Sequence, residues 1–164
     1  MKSVLVALLL ASAALAETPV TTVILVRHAE RVEADGDVDL VDAGRARAQE
    51  LARVLADVKI DRVYVTQYKR TTQTAQPLID ATKLEPLRVE TGEAYARTVA
   101  ANIAEKHRGE TVLVVGHNTT TVDMLHALGI KYDRKIEHAE YDNLFVVTIA
   151  DGKAKLLALK YGVR

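Results

Sequence analysis

Apolar and polar positions along the chain repeat with two periods, and the switches between them predict the elements. Residues 21–26 (TTVILV) are a short β-branched run that breaks off at Arg27-His28. That is the pattern of a buried strand delivering polar side chains at its C-terminal end. A polar loop with a single glycine follows over 30–39. Across 42–56, Ala46, Ala48, Leu51, Ala52, Val54 and Leu55 recur near helical spacing, which predicts a helix with a small-residue face. Residues 62–66 (RVYVT) read as a second strand and 69–82 as a second helix, with Pro77 expected to kink or interrupt it. A short strand is expected around 87–89. A third helix over 94–107 is closed by Gly109, and residues 111–115 (TVLVV) form an apolar strand that runs into Gly116-His117. A fourth helix spans 118–128 and ends at Gly129. Two last strands, 143–150 and 153–159, are joined by Asp151-Gly152, a hairpin signal.

Strands alternating with helices predict a three-layer α/β/α domain with a mostly parallel sheet and a C-terminal antiparallel hairpin. Such sheets bind ligands beyond the carboxyl ends of their strands. Here those ends carry Arg27 and His28, the segment 66–70 and His117.

Composition changes this picture in three ways. The opening MKSVLVALLLASAALA has Lys2, an apolar stretch and Ala14-Leu15-Ala16 before Glu17, the layout of a cleaved secretory signal peptide. Its apolar run is shorter than the roughly 20 residues of a membrane-spanning helix. The expectation is therefore a signal peptide over 1–16, a single domain over 17–164, and a periplasmic or secreted product without stable membrane insertion. Second, 22 basic and 22 acidic residues balance, and loss of Lys2 with the leader leaves 21 against 22. No basic run provides the attraction that nucleic-acid binding needs. Third, the chain has no cysteine, which removes disulfides, thiolate nucleophiles and cysteine-based metal sites.

What chemistry remains uses nitrogen and oxygen. Two histidines, His28 and His117, and two arginines, Arg27 and Arg70, converge on one predicted sheet edge. Arginine grips phosphate or carboxylate bidentately, and two of them beside imidazoles suit a dianion. A neutral histidine can attack phosphorus through one ring nitrogen while cations neutralise the equatorial oxygens. A phosphate-ester site follows, with no metal or cofactor called for and a phosphorylated small molecule as substrate.

Four segments resemble the histidine phosphatase superfamily, the phosphoglycerate mutase-like group. LVRHAE at 25–30 looks like its first-strand signature, and DLVDAG at 39–44 its entry to the first long helix. TQYKRTTQTA at 66–75 and VVGHN at 114–118 resemble its second-arginine and second-histidine segments. The resemblance implies that His28 is the nucleophile that becomes phosphohistidine and that Arg27, Arg70 and His117 form the phosphate pocket. It also implies a carboxylic acid after the third strand that protonates the leaving oxygen. Glu93 is preferred for that role over Glu90, although short members resembling phosphohistidine phosphatases lack an obvious acid there. Three readings stay open: a phosphomonoester phosphatase, a phosphohistidine or protein phosphatase, and a non-catalytic phosphate-binding protein.

Val41 stands where the family commonly has a capping threonine or serine, so the cap passes to Asp39 or Asp42 or is lost at about 1 kcal/mol. Thr66 replaces serine, and Gln67-Tyr68 replaces smaller residues at the pocket rim. His107, His126 and His138 are assigned to structure or solvent, and the acidic stretch 137–143 to a solvated turn in preference to the pocket rim.

Overall fold

The protein is described by a computed structural model over residues 18–162; the leader expected over 1–16 lies outside the described residues. The elements run β1 (Thr21–Arg27), α1 (Asp42–Val54), β2 (Arg62–Val65), α2 (Lys69–Thr82) and β3 (Leu87–Arg88), then α3 (Tyr95–Lys106), β4 (Thr111–Gly116), α4 (Asn118–Ala127), β5 (Asn143–Ala150) and β6 (Lys153–Lys160). Their sheet order is β3-β2-β4-β1-β5-β6. β1 to β4 pair in parallel, β5 lies antiparallel to β1, and β6 closes the hairpin on β5. This is the expected fold class, and every expected element is present within one or two residues of its expected bounds.

The sheet is covered on both faces because its central strands are apolar on both. Ile24 and Val26 of β1 share one face with Val63, Val65, Leu113 and Val115, and pack with Leu51 of α1 and Leu78 of α2. Val23 and Leu25 share the other with Val112, Val114 and Phe145, and pack with Val99, Ile103, Met124 and Leu125 of α3 and α4. The period of two along each strand sorts these side chains into the two cores.

Two local features differ from expectation. Pro77 does not interrupt α2, which continues to Thr82. The residue removes one backbone donor, but Thr71, Thr74, Ala75 and Leu78 on either side of it are buried, so tertiary packing carries the helix through. The α1 cap is lost: Val41 occupies the cap position without a side-chain bond. Asp39 instead accepts from Gln73 Nε2 at 2.8 Å, and Asp42 pairs with Arg45. What fixes α1 is a close approach. A Cβ on Gly44 would lie 2.0 Å from the Glu30 carbonyl oxygen, so only glycine lets the helix start against the chain leaving β1.

Candidate active site

β1 and β4 are neighbouring parallel strands, with Arg27 opposite Gly116. Their residues just beyond, His28 and His117, therefore emerge side by side, and the His28 N–H donates to the Gly116 carbonyl at 2.8 Å. The two rings lie 5.2 Å apart, centroid to centroid, inclined at 64°. Gly116 is required there, since a Cβ would meet Thr120 Oγ1 at 2.7 Å. That same hydroxyl oxygen accepts the His117 N–H at 2.8 Å and so fixes the start of α4.

His28 is 4% exposed, and its Nδ1 lies 2.8 Å from the Ala29 carbonyl oxygen. A carbonyl only accepts, so this contact assigns the proton to Nδ1 and leaves Nε2 with a free lone pair. Burial pushes the ring pKa down to about 3; the Ala29 contact opposes this, and the charges of His117, Arg27 and Arg70 add to it. The ring is neutral at pH 7. His117 is likewise brought to about 4, by burial first and then by Arg70, Arg27 and Arg31. Its Nε2 lies 3.1 Å from Thr66 Oγ1, and Arg70 Nη2 lies 3.5 Å from its Nδ1. The guanidinium can only donate, which assigns the His117 proton to Nε2.

Arg27 is almost fully buried, and its Nη1 donates to the carbonyls of Glu137, His138 and Glu140 at 3.0, 2.8 and 3.1 Å. Its guanidinium lies over the Tyr141 ring, 4.0 Å from the centroid. The stretch 137–143 is thus no mere solvated turn. Its main chain faces inward and aims Arg27, which a reading of side-chain polarity alone does not reveal. Arg70 stacks on Tyr68 at 4.1 Å, with Nη1 3.5 Å from the Gly36 carbonyl. Thr74 couples this arginine to His28: its hydroxyl accepts the Ala29 N–H at 2.9 Å and donates to the Arg70 carbonyl at 2.7 Å. Both arginines keep a buried Nε–H with no hydrogen-bond partner among the described residues. Burial lowers the pKa of both, so each has lost hydration that a bound anion would replace. Two orphaned guanidinium donors beside two neutral imidazoles have the chemistry to accept a tetrahedral dianion.

Glu90 and Glu93 are exposed. Thr91 between them is tied to the pocket rim by two bonds with Gln67, each 2.9 Å. Glu93 itself lines a cleft of about 520 Å³ with Tyr95, Asp123 and His126, and none of His28, His117, Arg27 or Arg70 borders that cleft. Neither carboxylate hydrogen-bonds to those four residues.

Sequence reasoning passed over Tyr68 and Tyr141 as clamps. The unusual Gln67-Tyr68 pair was a signal for the first; for Tyr141 there was none, because its role depends on where the 131–142 connection folds back. His107 is buried and structural, placed between Tyr64 Oη and Glu110 Oε2 at 2.9 Å each, while His126 Nε2 donates to the Tyr132 carbonyl at 2.9 Å. Among the described residues no group of three histidine, aspartate or glutamate side chains is disposed to hold a metal ion, and no helix is long and apolar enough to cross a membrane.

Residues 23–94 match the family model of the histidine phosphatase superfamily (branch 1). No curated protein matches the chain in sequence. Among solved structures, an alpha-ribazole phosphatase from Shigella flexneri superposes with a TM-score of 0.68 at 16% identity, covering 87% of this chain and 99% of that one. A protein assigned as the phosphohistidine phosphatase SixA from Agrobacterium tumefaciens gives 0.61 at 24% identity, over 87% and 98% of the two chains. A phosphoserine phosphatase from Entamoeba histolytica, in complex with phosphoserine, gives 0.64 at 14% identity, over 83% and 94%. At these identities the likeness is one of fold.

Proposed function

We propose that this chain, a histidine phosphatase superfamily protein by its match over residues 23–94 and by its fold, is a phosphatase that hydrolyses phosphomonoesters through a phosphohistidine on His28. The observation that carries the reading is the neutral His28 ring, with its Nδ1 proton held by Ala29 and its Nε2 free, beside two arginines with unpartnered Nε–H groups. Nε2 attacks phosphorus as the bond to the leaving oxygen breaks. Arg27 and Arg70 neutralise the equatorial oxygens, and the Ala29 carbonyl steadies the positive charge that the ring acquires. His117 donates its Nε2–H now held by Thr66, or takes up a proton once the dianion has raised its pKa. The leaving oxygen takes a proton from Glu93, with Glu90 the alternative. The resulting carboxylate then accepts a proton from the water that attacks phosphorus, which breaks the P–N bond and releases inorganic phosphate and neutral His28.

One observation favours a second reading. Because neither Glu90 nor Glu93 hydrogen-bonds to the pocket residues, a phosphohistidine substrate, free or in a protein, suits the site as well, its phosphoramidate leaving group needing less help from an acid. In either case the apolar leader at 1–16 makes this an exported enzyme in our reading, acting on periplasmic or extracellular phosphates.

The test is rapid acid quench of the protein with an aryl phosphate, prompt neutralisation and mass spectrometry, with His28→Ala alongside. A phosphate adduct mapped to His28, with steady phenol release that the variant loses by about 10³-fold or more, is the expected result. Phosphate binding with neither adduct nor turnover would leave a non-catalytic phosphate-binding protein.

A further inference from the structure

One short stretch of chain meets His117 at three points. Thr66 Oγ1, just past β2, accepts from its Nε2 at 3.1 Å, the Tyr68 ring stands perpendicular to it with 5.4 Å between centroids, and Arg70 Nη2 lies 3.5 Å from its Nδ1. These are alternate residues where β2 passes into α2, so one backbone path sets the His117 ring and the Arg70 guanidinium together. Tyr68 touches both, since its ring also carries that guanidinium, 4.1 Å from the centroid.

The two pocket arginines lean on tyrosines alike, yet they are held differently. Arg27, 4.0 Å from the Tyr141 centroid, also donates to three carbonyls at 3.0, 2.8 and 3.1 Å. Arg70 has no such anchor: its contacts with the Gly36 carbonyl and with His117 are both 3.5 Å long, and its Nε–H is buried without a partner. The acids of the facing loop are engaged elsewhere, Asp37 Oδ1 with the Lys69 N–H at 2.7 Å and Asp39 Oδ1 with Gln73 Nε2 at 2.8 Å. The surface that seats Arg70 is therefore the face of Tyr68, whose quadrupole attracts the cation and leaves its N–H edge free for an anion. A carboxylate in the same place would consume the donors and the charge that a phosphoryl group needs.

Tyr68 itself is half-buried, and its hydroxyl has no hydrogen-bond partner among the described residues. Its main chain is fixed without the side chain, the carbonyl accepting the Thr71 N–H at 3.1 Å and the Thr71 hydroxyl at 2.8 Å. We propose that Tyr68 is a positioning residue of this site: its ring face seats the Arg70 guanidinium against His117, and it acts on a bound phosphoryl group only through Arg70. The inference rests on the phosphatase reading for the identity of the anion, and it assigns a role to a residue which that reading does not use.

A double-mutant cycle in phosphate affinity tests it. Calorimetry with inorganic phosphate is run on the wild-type protein, Tyr68→Phe, Tyr68→Leu, Arg70→Ala and the combined Tyr68→Leu and Arg70→Ala protein. Thermal midpoints confirm folding, and Tyr68→Gln replaces the leucine variant if that one does not fold. Tyr68→Leu weakens binding by about 5- to 30-fold, the range of a partly desolvated cation–π contact, while Tyr68→Phe, which keeps the ring face, stays within about twofold. In the Arg70→Ala background, Tyr68→Leu costs less than about twofold more. Full affinity in Tyr68→Leu, equal losses with and without Arg70, or a phenylalanine variant as weak as the leucine one overturns the inference. Turnover of an aryl phosphate separates this from the phosphatase reading: Tyr68→Leu lowers kcat and raises KM together, as Arg70→Ala does, and the same cycle is read in kcat/KM. If the wild-type protein binds phosphate with the expected cycle but turns nothing over, the phosphatase reading falls and the role of Tyr68 stands. If turnover is robust and Tyr68→Leu leaves both constants unchanged, the inference falls and the reading stands. A wild-type protein that neither binds phosphate nor hydrolyses the ester ends both.

Discussion

His28 and His117 illustrate how far a side chain's chemistry depends on its surroundings. Each is an ordinary imidazole in the sequence, yet burial holds one near pH 3 and the other near pH 4. The effect is two imidazoles kept unprotonated at neutral pH, as the nucleophilic role proposed for His28 requires. Arg70 works through the same economy of contacts. Stacked on Tyr68, with one backbone and one ring contact each at 3.5 Å, its guanidinium makes no short hydrogen bond among the described residues. Arg70→Ala is therefore expected to raise KM and lower kcat together, by about 10²-fold in kcat/KM, with little change in thermal midpoint. A change confined to the midpoint would make Arg70 a structural residue. The residues and the family resemblance together had already pointed to Arg27, His28, Arg70 and His117; what lay beyond them was how these four are held. Tyr68 and Tyr141 belong to that second category, since a tyrosine in a loop is common on any surface.

Among the elements, the loops after the strands place the chemistry while the helices brace them. The 137–140 turn supplies three carbonyls to one arginine nitrogen, and the Glu140 carboxylate closes that turn by accepting the Glu137 N–H at 3.0 Å. α1 braces the loop after β1 through the contact between Gly44 and Glu30. Beside it, Arg47 holds the Glu30 carboxylate and also donates to the Tyr161 carbonyl at 2.9 Å, which ties the chain after β6 to the segment next to His28. Gly44→Ala is expected to destabilise the fold by about 1–3 kcal/mol, measured as a drop in thermal midpoint, because the new methyl must displace backbone rather than a flexible side chain. A midpoint unchanged by the substitution would show that α1 can shift away at no cost. Helix and strand periods were legible because each amphipathic stretch packs one face. The survival of α2 through Pro77 was not, since it depends on Thr74, Ala75 and Leu78 finding the sheet.

The molecule as a whole should record the buried histidines in its acid stability. Both have folded-state pKa values below the 6.5 of an exposed imidazole, so the unfolded chain takes up protons first as pH falls. Their stabilising effect is complete above about pH 6.5 and is lost between there and pH 3–4, with a slope near 1.4 kcal/mol per pH unit for each histidine. Denaturant midpoints measured from pH 7 to 4 test this, and His28→Ala should flatten the curve. Saturating phosphate should flatten it too, by letting His117 protonate in the folded state. Activity is expected to withstand chelators, since every catalytic role proposed is filled by protein nitrogen or oxygen; inhibition reversed by added metal would contradict that. By itself the sequence determined the order of elements, the layer architecture and the candidates Arg27, His28 and His117 at strand ends with Arg70 just after one, because hydrophobic period and position near a strand terminus are local properties written in the order of residues. Only the tertiary structure decided that the 137–140 carbonyls hold Arg27 and that Thr74 bridges the end of β1 to α2. Each of those depends on the return path of a loop, where backbone direction and burial are set by contacts with distant chain segments.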